Sequence, residues 1–248
     1  MTLTIVTAHW NEDLDWLKNS KFPVVLIDKE GSAPSSLKPD WVIKNKGMSV
    51  STIFWYIIKN YDSLPDHMAF IHGHEHAWHQ MHDRPLFEVI EKANITKYNY
   101  IPLNNFMRRY CFYNETSNVP GIPGLMLKDH WLKLGFPPLP DYYPINVPPS
   151  VQFIVSKKAV LNIPKAKYEE WLALMMESDA TQDFLWTVNF EFLLHFIFGE
   201  KLDMDEQTDW FSFPYKTKWW HEMPNLSMPS SAEKTSEGPS WKDTYDLK

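Results

Sequence analysis

The first third of the chain alternates short apolar runs with amphipathic stretches. The run LTIVTA (3–8) is β-branched and closes on a polar turn, which predicts a strand. Asn11 or Asp13 is placed to cap a helix in DLDWLKN. PVVLID (23–28) predicts a second strand, ending at Asp28 and a Gly/Ser/Pro loop. DWVIKNKG (40–47) predicts a third. Ser49 or Ser51 then starts a helix through STIFWYIIKNYDSL, whose Ile53, Phe54, Ile57 and Ile58 keep the 3.6-residue period. HMAFIH (67–72) predicts a fourth strand. Strand alternating with helix implies an α/β fold with a mostly parallel central sheet flanked by helices.

Past residue 105 the pattern loosens. Pro120, Pro123, Pro137, Pro138, Pro140, Pro144, Pro148 and Pro149 mark 119–149 as an irregular insertion, mostly loop. SVQFIVSKKAV returns to strand character before a turn. KYEEWLALMMES and QDFLWTVNFEFLLHFIFGE then predict a C-terminal helical part, the second helix strongly apolar and ended by Gly199. The tail 223–248 is rich in Ser, Pro, Lys and Glu, so it is expected to be mobile or wrapped on the surface.

Ligands of parallel α/β sheets sit outside the carboxyl ends of the strands. Ala8, His9, Asn11 and Glu12 follow the first predicted strand, Asp28 the second, and Asn45 and Lys46 the third. The fourth runs into FIHGHEHAWHQMH (70–82), with His72, Gly73, His74, Trp78 and His79. Four polar clusters are therefore expected to converge on one edge. Extended, His72, His74 and His76 would share a face; helical, His72, His76 and His79 would. Either geometry suits a divalent metal, with His72 and His74 the first candidates, or a polar substrate. The zinc-protease pattern fails, because Trp78 stands where the second histidine is needed. Farther on, Glu191 lies among large apolar residues, four positions before His195, so the two are expected to pair or to serve as base and partner.

Composition narrows the classes. A net charge of −7, with scattered basic residues, argues against nucleic acid as a partner. One cysteine, Cys111, excludes an intrachain disulfide framework and a cysteine-based zinc site. The N-terminus turns acidic by Glu12 and lacks a secretory apolar core, and no apolar run approaches the ~20 residues of a membrane span. A cytoplasmic protein without a transmembrane segment is expected.

Several stretches together resemble the DUF3431 family: NEDLDWL, NKG, YDSLPDHMAFIHGHEHAWH, VPPSVQFIVSKKAVLNIPKAKYEEWL and FEFLLHFIFG. The matching positions include Asn11, Glu12, Asp13 and Trp16; Asn45, Lys46 and Gly47; Tyr61, Pro65 and Asp66; His72, Gly73, His74, Trp78 and His79; and Glu191, His195 and Gly199. Unlike many fungal members, the chain is expected to have no N-terminal membrane anchor and no cysteine-bearing C-terminus. The family name reports no activity, but the layout is similar to GT-A glycosyltransferases, with a Rossmann-like nucleotide-binding half and a less regular acceptor half. That similarity implies one domain over 1–222, with about 1–105 holding the nucleotide, 106–222 the acceptor, and 223–248 a tail.

The implied function is transfer of a sugar from a nucleotide-sugar donor to a carbohydrate or glycoconjugate acceptor. Ala8, His9, Asn11, Glu12, Asp28, Asn45 and Lys46 would bind the donor. His72, Gly73, His74, Trp78 and His79 would face its phosphates or the sugar, and Glu191 would be the base, orienting or charge-pairing with His195. In the GT-A fold an Asp-x-Asp at the fourth strand holds Mn²⁺ or Mg²⁺; here His72-Gly73-His74 stands in its place, and these ions prefer oxygen ligands. Two alternatives remain open at this stage: a metal-dependent hydrolase using the His72–His79 cluster, and a non-catalytic carbohydrate-binding protein suggested by 12 Trp and 11 Tyr.

Overall fold

The computed structural model describes residues 1–34, 37–76, 80, 84–104, 106–112, 128–138, 143–148, 151–205, 207, 209–215 and 218–219. Within them the first half runs β1 (Leu3–His9), a 3-10 helix (Asp15–Asn19), β2 (Val24–Lys29), β3 (Trp41–Ile43), α1 (Met48–Asn60), β4 (His67–Ile71), α2 (Leu86–Glu91) and β5 (Tyr100–Pro102). The second half runs β6 (Phe106–Phe112), α3 (Lys128–Lys133), β7 (Tyr143–Val147), β8 (Phe153–Ser156), α4 (Lys157–Leu161), α5 (Lys165–Glu177), α6 (Ala180–Ile197) and β9 (Lys218–Trp219).

Six strands form the central sheet in the order β3-β2-β1-β4-β8-β5. The first four are mutually parallel, with Ile5 opposite Val24 and Ala69. The sheet is mixed, parallel in three of its five strand pairings and antiparallel in the other two. β8 inserts antiparallel between β4 and β5, pairing Phe70 with Phe153 and Ile101 with Ile154. The chain leaves β5, builds a second sheet, and re-enters from the opposite end, so β8 cannot follow the βαβ sense of the strands before it. Within 119–149 the described residues include α3 and β7, and β7 pairs with β6 in a second sheet ordered β7-β6-β9; residues 119–127, 139–142 and 149 lie outside the described residues. β7 contains Pro144, which lacks a ladder donor, and it is tolerated because β7 is an edge strand.

Burial explains the elements. All five residues of β4 are buried, as befits a central strand covered on both faces. Phe54 of α1 anchors the helical layer, with ring centroids 4.9 Å from Phe190, 5.7 Å from Trp171 and 5.9 Å from Tyr168. Phe70 lies 5.4 Å from Phe153 and 5.9 Å from Tyr56, joining sheet to α1. Each such ring contributes about 1.5–3 kcal/mol by leaving water. α6 is apolar almost all round because it is buried between neighbours, and Gly199, at φ 96°, follows its end as expected. No helix among the described residues is long and apolar enough to cross a membrane.

Two cap expectations fail. Leu14, not Asn11 or Asp13, occupies the cap of the first helix, which is a 3-10 turn; the Asp13 carboxylate accepts from Asp15 N at 2.9 Å. α1 starts after Gly47, at φ 67°, rather than at a serine cap. A left-handed residue turns the chain from β3 into α1 more sharply than an extended serine cap would.

Candidate functional site

In a sheet whose strand order reads 3-2-1-4, the carboxyl ends of β1 and β4 flank the point where the crossovers reverse. The polar clusters meet there through a set of specific contacts. His9, fully buried, touches Asp28 Oδ1 with Nδ1 at 2.7 Å and the Glu12 carbonyl with Nε2 at 3.1 Å. The Ser32 hydroxyl donates to the same Asp28 oxygen at 2.9 Å. Burial pushes the Asp28 carboxyl up, but hydrogen bonds from His9, the Ala33 backbone and Ser32, with the His9 charge, outweigh it and leave its pKa lowered. His9 and Asp28, expected to contact a donor, are thus occupied with each other and with the loop after β1.

That loop turns at Asn11, whose φ of 67° is the left-handed conformation asparagine tolerates better than most residues. The turn folds the Glu12 carboxylate back onto the backbone N–H of Trp10. It also brings Glu12 against Gly73. A Cβ at Gly73 would stand 2.8 Å from the Ala8 carbonyl oxygen and 3.0 Å from Glu12 Oε2. Trp16, packed 5.1 Å from Phe87, donates its indole N–H to the Gly73 carbonyl at 3.1 Å. The segments Asn11–Trp16 and His72–His74 are therefore two halves of one assembly, and the glycine between the histidines is required by close approach.

His72 and His74 lie with rings nearly parallel, 9° apart and 5.1 Å between centroids. The period-two alternative holds for this pair only, since the His76 side chain is 81% exposed beside Glu75. His72 Nδ1 is 3.2 Å from Ser49 Oγ in the first turn of α1, and its backbone N–H donates to Gln152 Oε1 at 3.3 Å. That turn of α1 carries no acidic residue and no side-chain cap. Met48 beside it is held at φ 41°, a conformation costing a non-glycine residue about 1–3 kcal/mol. Trp78 and His79 lie outside the described residues, as does the tail 223–248.

The N-K-G segment ties β3 to the helical layer. The Lys46 amine donates to the Met176 carbonyl at 2.8 Å and to the Ser178 carbonyl, so its charge closes the C-terminal end of α5. Gly47 N donates to both oxygens of buried Asp183, at 2.9 and 3.1 Å. Asn45 is half-buried in the same turn. Beneath it, Lys29 is 3% exposed and donates to the Lys46 carbonyl and the Ser51 hydroxyl. Burial pulls the Lys29 ammonium down to about 7, against the raising charges of Asp183 and Glu30. Sequence reasoning missed Lys29, Asp183, Ser32 and Gln152. An ionisable residue closing an apolar strand or sitting inside an apolar helix was the available signal for the first two.

Glu191 is half-buried on α6. It lies eight residues beyond Asp183, about 12 Å of helix rise. Burial first, then the charges of Glu200 and Glu191, push the phenol of Tyr100 up. Among the described residues no hydrogen bond or ion pair joins Glu191 to His195. His195 instead turns to the chain beyond the helix and donates through Nε2 to the Leu202 carbonyl at 3.0 Å. Helical spacing put the two on one face, but the chain beyond the helix end decided the partner. Among the described residues the Glu12 carboxylate lies against Gly73 of the histidine box.

Among the described residues no three His, Cys, Asp or Glu side chains are disposed to hold a metal ion. Stacked imidazoles also poorly suit Mn²⁺ or Mg²⁺, which favour oxygen. Comparison with curated proteins yields no match. Residues 4–209 match the family model described as a protein of unknown function, DUF3431, and with most of its length covered the chain belongs to that family.

Proposed function

We propose that the chain is a transferase with a GT-A-like layout, moving a sugar from a nucleotide-sugar donor to a carbohydrate acceptor. One observation carries the reading: Glu12 after β1, the His72–His74 pair after β4 and the first turn of α1 meet where the crossovers of the parallel strands reverse. The first turn of α1 carries no acidic residue and its dipole favours an anion, and Ser49 links it to His72. The donor diphosphate would lie there, with His72 and His74 as hydrogen-bond donors. Glu12, fixed by Trp10 and Gly73, would take the proton of the acceptor hydroxyl, a role given to it here in preference to Glu191. His9 and Asp28 would act as positioning residues that hold the Glu12 loop.

The test is a thermal-shift screen of UDP- and GDP-sugars, with and without Mn²⁺, on wild type and His74→Asn. At a ligand concentration of about 100 Kd the native state gains about 2.7 kcal/mol, a readable rise in Tm. The rise should shrink in His74→Asn and should not require Mn²⁺. Once a donor is found, Glu12→Gln should cut turnover by ~10²-fold or more while keeping the Tm shift. Stabilisation by no nucleotide at millimolar concentration sinks the reading.

A further inference from the structure

The opposite edge of the sheet, where β4 and β5 begin and β8 ends, holds an open cavity of about 530 Å³. Four residue-to-residue steps of β4, about 13 Å, separate it from the histidine box. His67, Lys97, Tyr98, Lys157, Lys158 and Leu161 line it, with Asp66 at the base. These come from the P-D-H stretch before β4, the approach to β5 and the S-K-K stretch after β8, none of which the carboxyl-edge site uses.

The charges in this cavity do not balance. The Asp66 carboxylate accepts from Thr2 N at 2.7 Å and lies 3.8 Å from the N-terminal amine, so it is already matched. Lys97 is paired with Asp209. Among the described residues Lys157 and Lys158 make no ion pair, leaving two uncompensated ammoniums in one concavity of a chain whose net charge is −7. His67 is 9% exposed, and its Nδ1 is buried without a hydrogen-bond partner. Burial lowers the pKa of this imidazole, against the raising effects of a backbone hydrogen bond at Ile95 and the Asp66 charge, so a neutral ring faces the cavity at pH 7. Leu161, 40% exposed, and Tyr98 supply an apolar wall beside the lysines.

We propose that this cavity is a second ligand site, taking a small phosphate monoester. Its oxyanion sits between Lys157 and Lys158, and its organic group lies against Tyr98 and Leu161. A compact dianion is what two unpaired ammoniums in a concavity favour, and the flanking wall selects an ester over the bare ion. The site is independent of the transferase reading. Its occupant is one of two sources of the same chemistry, and we commit to a soluble ester rather than a lipid headgroup, because the cavity is concave and the apolar wall is small.

The test is calorimetric titration of the full chain with phenyl phosphate, inorganic phosphate and vesicles containing phosphatidate. The titrations are repeated on Lys157→Gln/Lys158→Gln and on Leu161→Glu. Both lysines and Leu161 are at least partly exposed, so the variants should fold, and their unligated Tm should match wild type. Phenyl phosphate should bind more tightly than inorganic phosphate. The double variant should lose at least tenfold in affinity, Leu161→Glu should weaken binding, and added salt should do the same. Equal affinity in wild type and the double variant overturns the site, as does no binding at 10 mM ester. Binding to vesicles without binding to phenyl phosphate overturns the choice of a soluble ligand. A nucleotide response measured in parallel reports on the carboxyl-edge site alone, so either reading can fail without the other.

Discussion

Replacing Lys29 with methionine should change how stability depends on pH. The ammonium is 3% exposed at the end of β2, and burial lowers its pKa from the ordinary 10.5 to about 7. At about 1.36 kcal/mol per pH unit, that gap corresponds to about 5 kcal/mol of differential solvation between folded and unfolded chains. Below pH 7 the amine is charged in both states, and the full penalty weighs on the fold. Between 7 and 10.5 the unfolded chain keeps the proton and the folded chain does not. Wild-type stability therefore gains about 1.4 kcal/mol per pH unit from this group as pH rises, and the penalty is gone above 10.5. Lys29→Met carries no such proton. It also loses the bonds to the Lys46 carbonyl and Ser51 hydroxyl, an offset of about 1–3 kcal/mol that does not depend on pH in this range. Urea unfolding of both proteins at half-unit steps from pH 7.5 to 9.5 isolates the term as a difference. That difference should move toward wild type by about 3 kcal/mol across the window. Parallel curves would refute the reasoning and mean that Asp183 keeps the ammonium charged throughout.

Two further outcomes test the packing. His195 is held by burial at about 4, below its ordinary 6.5, despite backbone hydrogen bonds at Leu202 and Phe192 and the Asp203 charge, all of which raise it. The unfolded chain takes up the proton first as pH falls, so this group should cost about 3 kcal/mol of stability between pH 6.5 and 4. His195→Gln should flatten that acid limb in Tm measurements, and an unchanged limb would contradict the assignment. Gly73→Ala forces a methyl to 2.8 Å from the Ala8 carbonyl and should lose about 1–3 kcal/mol in thermal melts. A melt matching wild type would mean the two strand ends do not approach so closely.

Much of the architecture was legible because local pattern reports local structure. The β-branched runs at 3–8 and 23–28, the 3.6-residue period of Ile53, Phe54, Ile57 and Ile58, and the apolar helix ended by Gly199 all became the elements they suggested. The family resemblance rested on the same short stretches. The convergence of polar residues on the carboxyl edge followed from strand order alone, since parallel neighbours put their ends on one side.

What the sequence could not decide is what depends on partners distant along the chain. The direction of β8 is set by the path taken through the second sheet, and the residues of β8 read equally well either way. The Lys46 amine meets the Met176 and Ser178 carbonyls at the end of α5, about 130 residues away, which only the folded chain shows. The partner of Asp28 Oδ1 is His9, 19 residues earlier, which the sequence did not show. Glu12 stands between polar Asn11 and Asp13 in the sequence, and the left-handed turn at Asn11 and the missing side chain at Gly73 put its carboxylate against the histidine box. Hydrophobic periodicity acts over a few residues and survives in the one-dimensional string. A charged or polar group takes its role from whichever oxygen or nitrogen the folded chain brings within about 3 Å, and that distance exists only in three dimensions.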